Sequence, residues 1–570
     1  MPSPRLSFFG LLFLLLLMLG SASQDDGVVI TSSGPVKGKT VPTSSGSVTA
    51  FLGIPYAEPP VGKLRFQKPR PHQPWSRVLE ATSFGNSCPQ TNISKFPDAA
   101  LWTANTPLSE DCLFLNVWVP SPRPVEPMPV LVWIQGIGLI SGTASLDIYN
   151  GALLAATEKV IVASMNYRLG ALGFLYMPPE ALGNVGLWDQ WLALKWLRQN
   201  AAAFGGDPAQ LTLLGQSAGA AMVGFHLLSP ASNPLFARAV LQSGVPNAFW
   251  PWKTTEDAEQ DTVGVSSAVG CASENRTAVL KCLQEIDIED KAFEPLYSIN
   301  SLTIDGEFLP DEPPKLLDST ALQGKPVLTG ITADEGSTFV LFWYPSAEGD
   351  GRILTWEELL QGVKGTMERG TAEEVAEAVA LRFSEGYDGP ERYRLAFAQY
   401  FRDYFFSCAL HEFAAKMSKT KIQTHLYNPI KYSLEVKETK TPVYVYSFDH
   451  RTSASDWPEW VQTPYAVEIP YLFGSFASAF PRNKSVTQAE VALSRRVMRY
   501  WAEFARSGNP TRSEPTEAQW PVYDVEEQKF FQISTAPPQL KRLRPPPPCD
   551  YLATLRMKGT SKAKPQEDTA

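Results

Sequence analysis

The sequence predicts an α/β protein whose central sheet is largely parallel in its middle. Short runs at residues 130–134, 160–165 and 211–214 are almost wholly apolar, as expected of strands that are buried on both faces. Between the second and third runs, residues 186–200 place apolar side chains at helical spacing. Strands that alternate with helices in this way are typical of a parallel sheet covered by helices.

Further elements are predicted on either side of this region. Apolar and β-branched residues predict opening strands at 28–36 and 48–51, and the region 371–414 is predicted to be rich in helix. Later strands are predicted at residues 239–241, 326–330 and 443–448.

Composition and charge limit the classes of function. The chain has 570 residues, of which 44% are hydrophobic and 19% charged, which is ordinary for a globular protein with a large core. Its net charge of −9 and the lack of a long basic run argue against a nucleic-acid-binding surface. Because no Gly/Ser-rich linker divides the chain, residues 24–554 are predicted to form one domain.

The two ends of the chain have different compositions. Arg5 precedes an apolar run at residues 6–19, and small residues follow before Gln24. This order is typical of a secretory signal peptide, here residues 1–23, and predicts a secreted, extracellular protein. A membrane anchor is the alternative, but the run is short for a span and no other stretch is long enough. Residues 555–570 are polar and are expected to be a disordered tail.

Six cysteines and three sequons fit an oxidising compartment. Six cysteines allow several connectivities. Sequence spacing favours two small loops, Cys88–Cys112 and Cys271–Cys282, which leaves Cys408–Cys549 as a long tie. Candidate glycosylation sites are Asn92, Asn275 and Asn483.

A serine-nucleophile motif, Gly-Gln-Ser-Ala-Gly, occupies residues 215–219. A Gly-x-Ser-x-Gly sequence after a buried strand makes a sharp strand-to-helix turn that holds the serine exposed at the start of the helix. Here residues 211–214 supply the strand and residues 218–228 supply a helix of small residues. An ordinary turn is the alternative, because the bare pattern also arises by chance, but this context favours the nucleophile.

Several longer segments give the chain a specific resemblance. It resembles the cholinesterase branch of the type-B carboxylesterase family from about residue 27 to residue 550. The resemblance implies the α/β-hydrolase fold, and the three intrachain disulfides of that family match the pairing above. The segments that carry it lie at residues 51–57, 109–117, 165–168, 204–206, 226–230, 241–244 and 457–460.

The resemblance assigns two members of a catalytic triad and leaves the third unfilled. Ser217 stands at the nucleophile position and Glu335 at the position of the acid, in the chain order that is usual for this fold. A solvated loop carboxylate is the alternative for Glu335. Tyr465 stands where the family has its histidine. A tyrosine, with a pKa near 10, is a donor rather than a base at neutral pH.

The five histidines offer no obvious substitute for the missing base. They are His72, His226, His411, His425 and His450, and none falls in the loop around Tyr465. The nearest in sequence, His450, stands where the family also has a histidine without a triad role, so a structural role is expected for it.

The resemblance also implies an altered oxyanion hole. The backbone N–H groups of Ile137, Gly138 and Ala218 would be its donors, but Ile137 replaces one glycine of the family's triplet. A β-branched residue disfavours a positive φ, and its side chain would take up space for substrate.

The resemblance assigns ligand-binding positions as well. Gln216 replaces a glutamate of the cholinesterases and so removes a negative charge from the choline end of the pocket. Trp102, Trp250 and Phe339 match aromatic pocket positions, where a ring face attracts a quaternary ammonium group. Packing aromatics kept for the fold are the alternative.

Two functions therefore compete. The first is a secreted cholinesterase-like protein that has lost or strongly weakened ester hydrolysis and binds a small ester or quaternary-ammonium ligand, or a cell-surface protein. The second is an active carboxylic-ester hydrolase that uses Ser217 and Glu335 with an unrecognised base. No metal cluster, phosphate loop or other cofactor signal is present in the sequence. We expect a monomer or a dimer without an interchain disulfide.

Overall fold

The computed structural model describes most of the chain between residues 27 and 552. The described ranges are 27–91, 99–288, 291–319, 322–348, 353–367, 371–428, 433–480, 484–515, 519–542 and 549–552. The predicted signal peptide, the polar tail, Asn92 and Asn483 lie outside these residues.

A single large sheet organises the described residues. It has eleven strands, of which the sixth and seventh across the sheet lead into the site described below. In order across the sheet these are Gln539–Arg542, Lys529–Ile533, Val443–Phe448, Val327–Thr332, Arg238–Gln242, Gly206–Gln216, Met128–Ile134, Ile161–Met165, Phe114–Ser121, Gly46–Pro55 and Lys39–Thr43.

The strands run parallel in the middle of the sheet and antiparallel at both ends. Every neighbouring pair from Lys529–Ile533 across to Ile161–Met165 is parallel. The pairs beyond them, such as Phe114–Ser121 with Ile161–Met165, are antiparallel. The predicted α/β class and the predicted parallel middle are therefore confirmed.

Both faces of the sheet are buried, which explains the continuous apolar runs in the sequence. Along Met128–Ile134, Val130 and Val132 pack into the hydrophobic cluster on one face, while Leu131 and Trp133 pack into the cluster on the other. Successive side chains of a strand point to opposite faces, so a strand with helices on both sides needs apolar residues at every position.

Helices cover the two faces of the sheet, and smaller elements connect them. Among the described residues, no helix combines the length and the apolar character that a membrane span requires. The α-helices are Ala99–Trp102, Ala152–Glu158, Gly170–Phe174, Val185–Asn200, Ala218–Leu228, Thr255–Ala268, Arg276–Glu285, Pro313–Leu317, Glu335–Trp343, Trp356–Thr366, Glu373–Ser384, Arg392–Phe401, Cys408–Met417, Ile469–Phe473, Phe476–Ala479 and Gln488–Ser507, with a π-helical turn at Arg402–Ser407.

The opening of the chain differs from the prediction of one strand at residues 28–36. The structure has a hairpin, in which Val28–Thr31 pairs with Gly34–Lys37. The Thr31 hydroxyl accepts hydrogen bonds from the N–H groups of Ser33 and Gly34. Because a threonine side chain can bond to the backbone just after it, it favours a turn over a continued strand.

All six cysteines form disulfides, in the pairing that the sequence spacing favoured. The bonds are Cys88–Cys112, Cys271–Cys282 and Cys408–Cys549. The third joins residues that are 141 apart in sequence, so it ties the end of the described chain to a helix of the body.

A buried ion pair supports the segment that follows the strand Ile161–Met165. Arg168 donates two hydrogen bonds, of 2.6 and 2.8 Å, to the carboxylate of Asp189 on the helix Val185–Asn200. The side chains are 3% and 0% exposed. Two residues further on, the N–H of Gly170 donates to the carbonyl of Leu139, in the loop after the strand Met128–Ile134.

We expect Asp189→Asn to lower the free energy of unfolding by about 3–5 kcal/mol, because it leaves the guanidinium of Arg168 buried without a counter-charge. Urea denaturation of the purified protein would measure the change. The matched control is Asp388→Asn, at an exposed position. A loss no larger than that of the control would show that the pair is dispensable for stability.

Candidate active site

Ser217 lies at the turn between the strand Gly206–Gln216 and the helix Ala218–Leu228. Its backbone has φ 60° and ψ −127°, a conformation that residues with a side chain rarely adopt. The N–H of Ser217 donates to the carbonyl of Gln242 on the adjacent strand, at 2.8 Å. A strained backbone of this kind persists only where the surroundings hold it, and it is characteristic of functional sites.

Close backbone packing explains the last glycine of the motif. A Cβ atom on Gly219 would lie 2.1 Å from the carbonyl oxygen of Ile134, and one on Gly136 would lie 1.9 Å from the N–H nitrogen of Gly219. Neither approach is sterically possible for a larger residue. The helix therefore begins directly against the end of the neighbouring strand, which holds Ser217 at the edge of the sheet.

The loop after the strand Met128–Ile134 brings two of the predicted oxyanion donors to the same place. Positive φ angles occur at Gly138 and Leu139, whereas Ile137 does not have one. The strain expected of a β-branched residue is therefore absent. Ile137 pairs with Ser141 across the turn, and among the described residues the N–H of Gly138 has no hydrogen-bond partner. Ala218 is fully buried at the start of its helix, below Ser217.

Glu335 is fully buried at the start of the helix Glu335–Trp343. Its Oε1 accepts hydrogen bonds from the hydroxyl of Ser243, at 2.5 Å, and from the N–H of Thr332, at 2.8 Å. Its Oε2 is buried and has no hydrogen-bond partner within the described part of the chain. Burial, together with the charge of Glu468, raises the pKa of Glu335 to about 8, although the two hydrogen bonds oppose the rise.

Glu468 is a second buried carboxyl group beside Glu335, and its place in the site was not predicted from the sequence. Its Oε1 accepts a hydrogen bond of 3.0 Å from the side-chain Nε2 of Gln242. The Oε1 of the same glutamine accepts a hydrogen bond from the indole N–H of Trp501. Its Oε2 also lacks a partner in the described structure, and burial raises its pKa to about 7. It lies five residues before Phe473-Gly474, but nothing in the sequence shows its burial.

Tyr465 lies beside Ser217, in the loop that precedes Glu468. Its N–H donates to the hydroxyl of Thr338, and its ring packs edge-on against Phe339 with 5.1 Å between ring centroids. Burial raises the pKa of Tyr465 far above its ordinary value, and the nearby side chains of Ser217 and Gln216 oppose this rise only in part. A neutral phenol therefore lies beside Ser217 at this cavity.

The described histidines lie elsewhere in the fold. His226 contacts Ser232 and Gln190 through its two ring nitrogens, and burial lowers its pKa to about 3. His450 pairs with Glu490 at 3.0 Å, which is consistent with the expected structural role. The side chain of His425 lies outside the described residues. None of the other four lines the cavity around Ser217.

A cavity of about 440 Å³ opens above Ser217. It brings together most of the predicted site residues: Trp102, Ile137, Gly138, Gln216, Ser217, Trp250, Phe339 and Tyr465. Two predicted residues are not on its surface, since Glu335 and Ala218 lie behind it. The wall also contains aromatic residues that the sequence did not predict, which are Phe342, Trp343, Phe401, Phe405 and Phe406.

Aromatic contacts hold the wall together. Phe339 stacks on Phe401 with a centroid distance of 4.5 Å and an interplanar angle of 4°. The indole N–H of Trp250 donates to the carbonyl of Phe405 at 3.1 Å. Phe405 and Phe406 belong to the π-helical turn Arg402–Ser407, an irregularity that is frequent at functional sites.

The pKa of Glu335 predicts a pH effect on stability. A carboxyl group whose pKa rises from 4.5 to about 8 on folding makes the folded state less stable as the pH rises through that window. We expect Glu335→Gln to remove part of this loss, so that the variant gains about 2–4 kcal/mol relative to the parent between pH 5 and pH 8. Denaturant unfolding at both pH values would measure it. The exposed Glu357→Gln variant is the control, and an equal pH slope in parent and Glu335→Gln would contradict the expectation.

Comparison with known proteins agrees with this geometry. The model of the carboxylesterase family matches residues 25–551. The cholinesterase of Mus musculus is 39% identical over 561 residues, which is 95% of this chain and 89% of that protein. The acetylcholinesterase of Bungarus fasciatus is 40% identical, covering 89% of this chain and 83% of that protein. That of Danio rerio is also 40% identical, covering 90% and 86%. These matches, together with the turn at Ser217 and the parallel sheet, show that the chain belongs to the carboxylesterase family.

Proposed function

We propose that this chain is a carboxylesterase-family protein that no longer hydrolyses esters efficiently and acts by binding. The observation that carries the proposal is the position of Tyr465, whose buried phenol lies beside Ser217 where the reaction needs a base. A serine hydroxyl is a weak nucleophile until a neighbouring group takes its proton. A phenol with a raised pKa holds its own proton at neutral pH and cannot do this.

The state of Glu335 supports the same conclusion. In a working triad the carboxylate stays ionised, orients the base and stabilises its positive charge. Here the carboxyl group has an unpartnered Oε2 and a pKa of about 8, so it is mostly protonated at neutral pH. Loss of one triad member typically costs a factor on the order of 10⁴–10⁶ in rate.

One observation favours the second candidate, an active ester hydrolase. The serine turn keeps its strained backbone, and the cavity above it remains large enough for a small ester. Hydrolysis by this route would need some other base, because no histidine lines the described cavity wall. The intact turn is equally expected of a binding site that has kept the scaffold of the family.

The proposal includes the location of the protein and its assembly. The signal peptide predicted at residues 1–23 and the three disulfides support secretion, since such bonds persist in oxidising compartments. Because every cysteine is already paired within the chain, we propose a monomer or a non-covalent dimer that meets a small ligand or a cell-surface protein. Asn275 remains a glycosylation candidate, exposed at the start of the helix Arg276–Glu285.

The direct test is hydrolysis of a choline thioester and a simple aryl ester by the purified protein and its Ser217→Ala variant. We expect equal rates, close to the uncatalysed background, because Ser217 has no base. A clear rate in the parent that disappears in Ser217→Ala would overturn the proposal and establish the ester hydrolase.

Restoring the base should restore part of the activity. We expect Tyr465→His to raise the esterase rate by about 10²-fold or more, below the full effect of a triad because the oxyanion loop is also altered. Tyr465→Phe is the matched control, which alters the same ring without adding a base. The gain should vanish in the double variant with Ser217→Ala. No gain over the parent would place the deeper defect in the oxyanion loop, or show that the loop around residue 465 does not present its side chain to Ser217.

A further inference from the structure

The cavity above Ser217 has no ionised lining. Its described residues include no aspartate, glutamate, lysine, arginine or histidine. The wall is formed by aromatic rings and two isoleucines, with the neutral polar residues Asn300 and Thr366 among them. The polar side chains beside the serine turn, at the floor, are those of Gln216, Ser217 and Tyr465. Glu335 and Glu468 lie behind this floor and are not part of the surface. A ligand here therefore meets rings, hydroxyl groups and amides, all of them neutral.

Gln216 is the floor residue with an unsatisfied polar group. The residue is 3% exposed, and its Nε2 makes no hydrogen bond of normal geometry in the described structure, although the side chain lies near the Tyr465 phenol. A buried amide donor without a partner is costly, and a ligand oxygen would remove that cost. The unpartnered N–H of Gly138 lies at the same cavity and is a second neutral donor. Both groups favour an acceptor oxygen on the ligand.

A cation fits this cavity less well. A quaternary ammonium group that leaves water loses its hydration, and burial of a charge is unfavourable unless a counter-charge or equivalent contacts replace the water. Ring faces attract such a group, but the attraction is modest beside the loss of hydration. No carboxylate of the described lining adds to it.

We propose that the cavity takes a neutral, largely apolar ligand that presents one carbonyl oxygen to the floor, in preference to a quaternary ammonium ligand of the same shape. This inference rests on the proposed binding function and specifies its ligand class. Gln216 is the specificity-determining residue, because a glutamate there would supply the missing counter-charge.

The test compares two non-hydrolysable probes of matched shape by isothermal titration calorimetry. Both are methyl ketones with the same chain, one ending in a tert-butyl group and the other in a trimethylammonium group. We expect the neutral ketone to bind the full-length protein about tenfold more tightly or better. Gln216→Glu should reverse the preference, whereas Gln216→Met, of similar size and uncharged, should not favour the cation.

A spectroscopic measurement checks the carbonyl contact separately. The infrared carbonyl stretch of the bound neutral ketone should shift to lower frequency than in an apolar solvent, as expected for an oxygen that accepts hydrogen bonds. An unshifted stretch would overturn the assignment of the floor donors.

The results distinguish failure of this inference from failure of the proposed function. If the parent binds the cation as tightly as the neutral ketone, or binds neither probe, the ligand class is wrong even when no ester is hydrolysed. If Ser217-dependent hydrolysis is found while the neutral ketone is preferred, the proposed non-catalytic function is wrong and the ligand class stands.

Discussion

The close contact between the helix Ala218–Leu228 and the end of the strand Met128–Ile134 is the constraint on which the site depends. Gly136 and Gly219 leave no room for a side chain between these two backbones. The contact forces Ser217 into its positive φ and sets the loop at Ile137 and Gly138 beside it. Since the turn is fixed by packing rather than by the catalytic groups, it survives the replacement of the base by Tyr465.

The buried carboxyl groups show what this replacement leaves behind. Glu335 and Glu468 each keep one oxygen bonded, through Ser243 and Gln242 respectively, and each keeps one oxygen without a partner in the described structure. Two neighbouring buried carboxyl groups disfavour each other's ionisation. Both therefore keep their protons to a higher pH than an ordinary carboxyl group, whereas the acid of a working triad is ionised. On the proposed function, the scaffold of a catalytic site is kept while its charge distribution is not.

Sequence patterns predicted the parts of this arrangement that depend on local periodicity or on a rigid motif. The buried strands and the helix at 186–200 follow from the spacing of apolar residues. The serine turn follows from its glycine motif, in which close backbone packing leaves no room for a side chain at Gly219. The wall residues Phe401 and Phe405 were missed because they meet Phe339 and Trp250, which are distant in sequence, and local periodicity does not record such contacts. The burial of Glu468 was missed for the same reason, since Gln242 reaches it from a distant strand and is itself bonded by Trp501 from a distant helix.

The Cys408–Cys549 disulfide has a consequence for a chain that a protease has cut. It starts from the helix that follows Phe405 and Phe406, and the covalent ring that it closes contains Tyr465 and Glu468. A nick between the two cysteines, for example in the hairpin of Lys421–Asn428 and Ser433–Lys440, would therefore leave both fragments joined. The cavity wall and the loop beneath it would remain in one molecule, and separation would require reduction as well as cleavage.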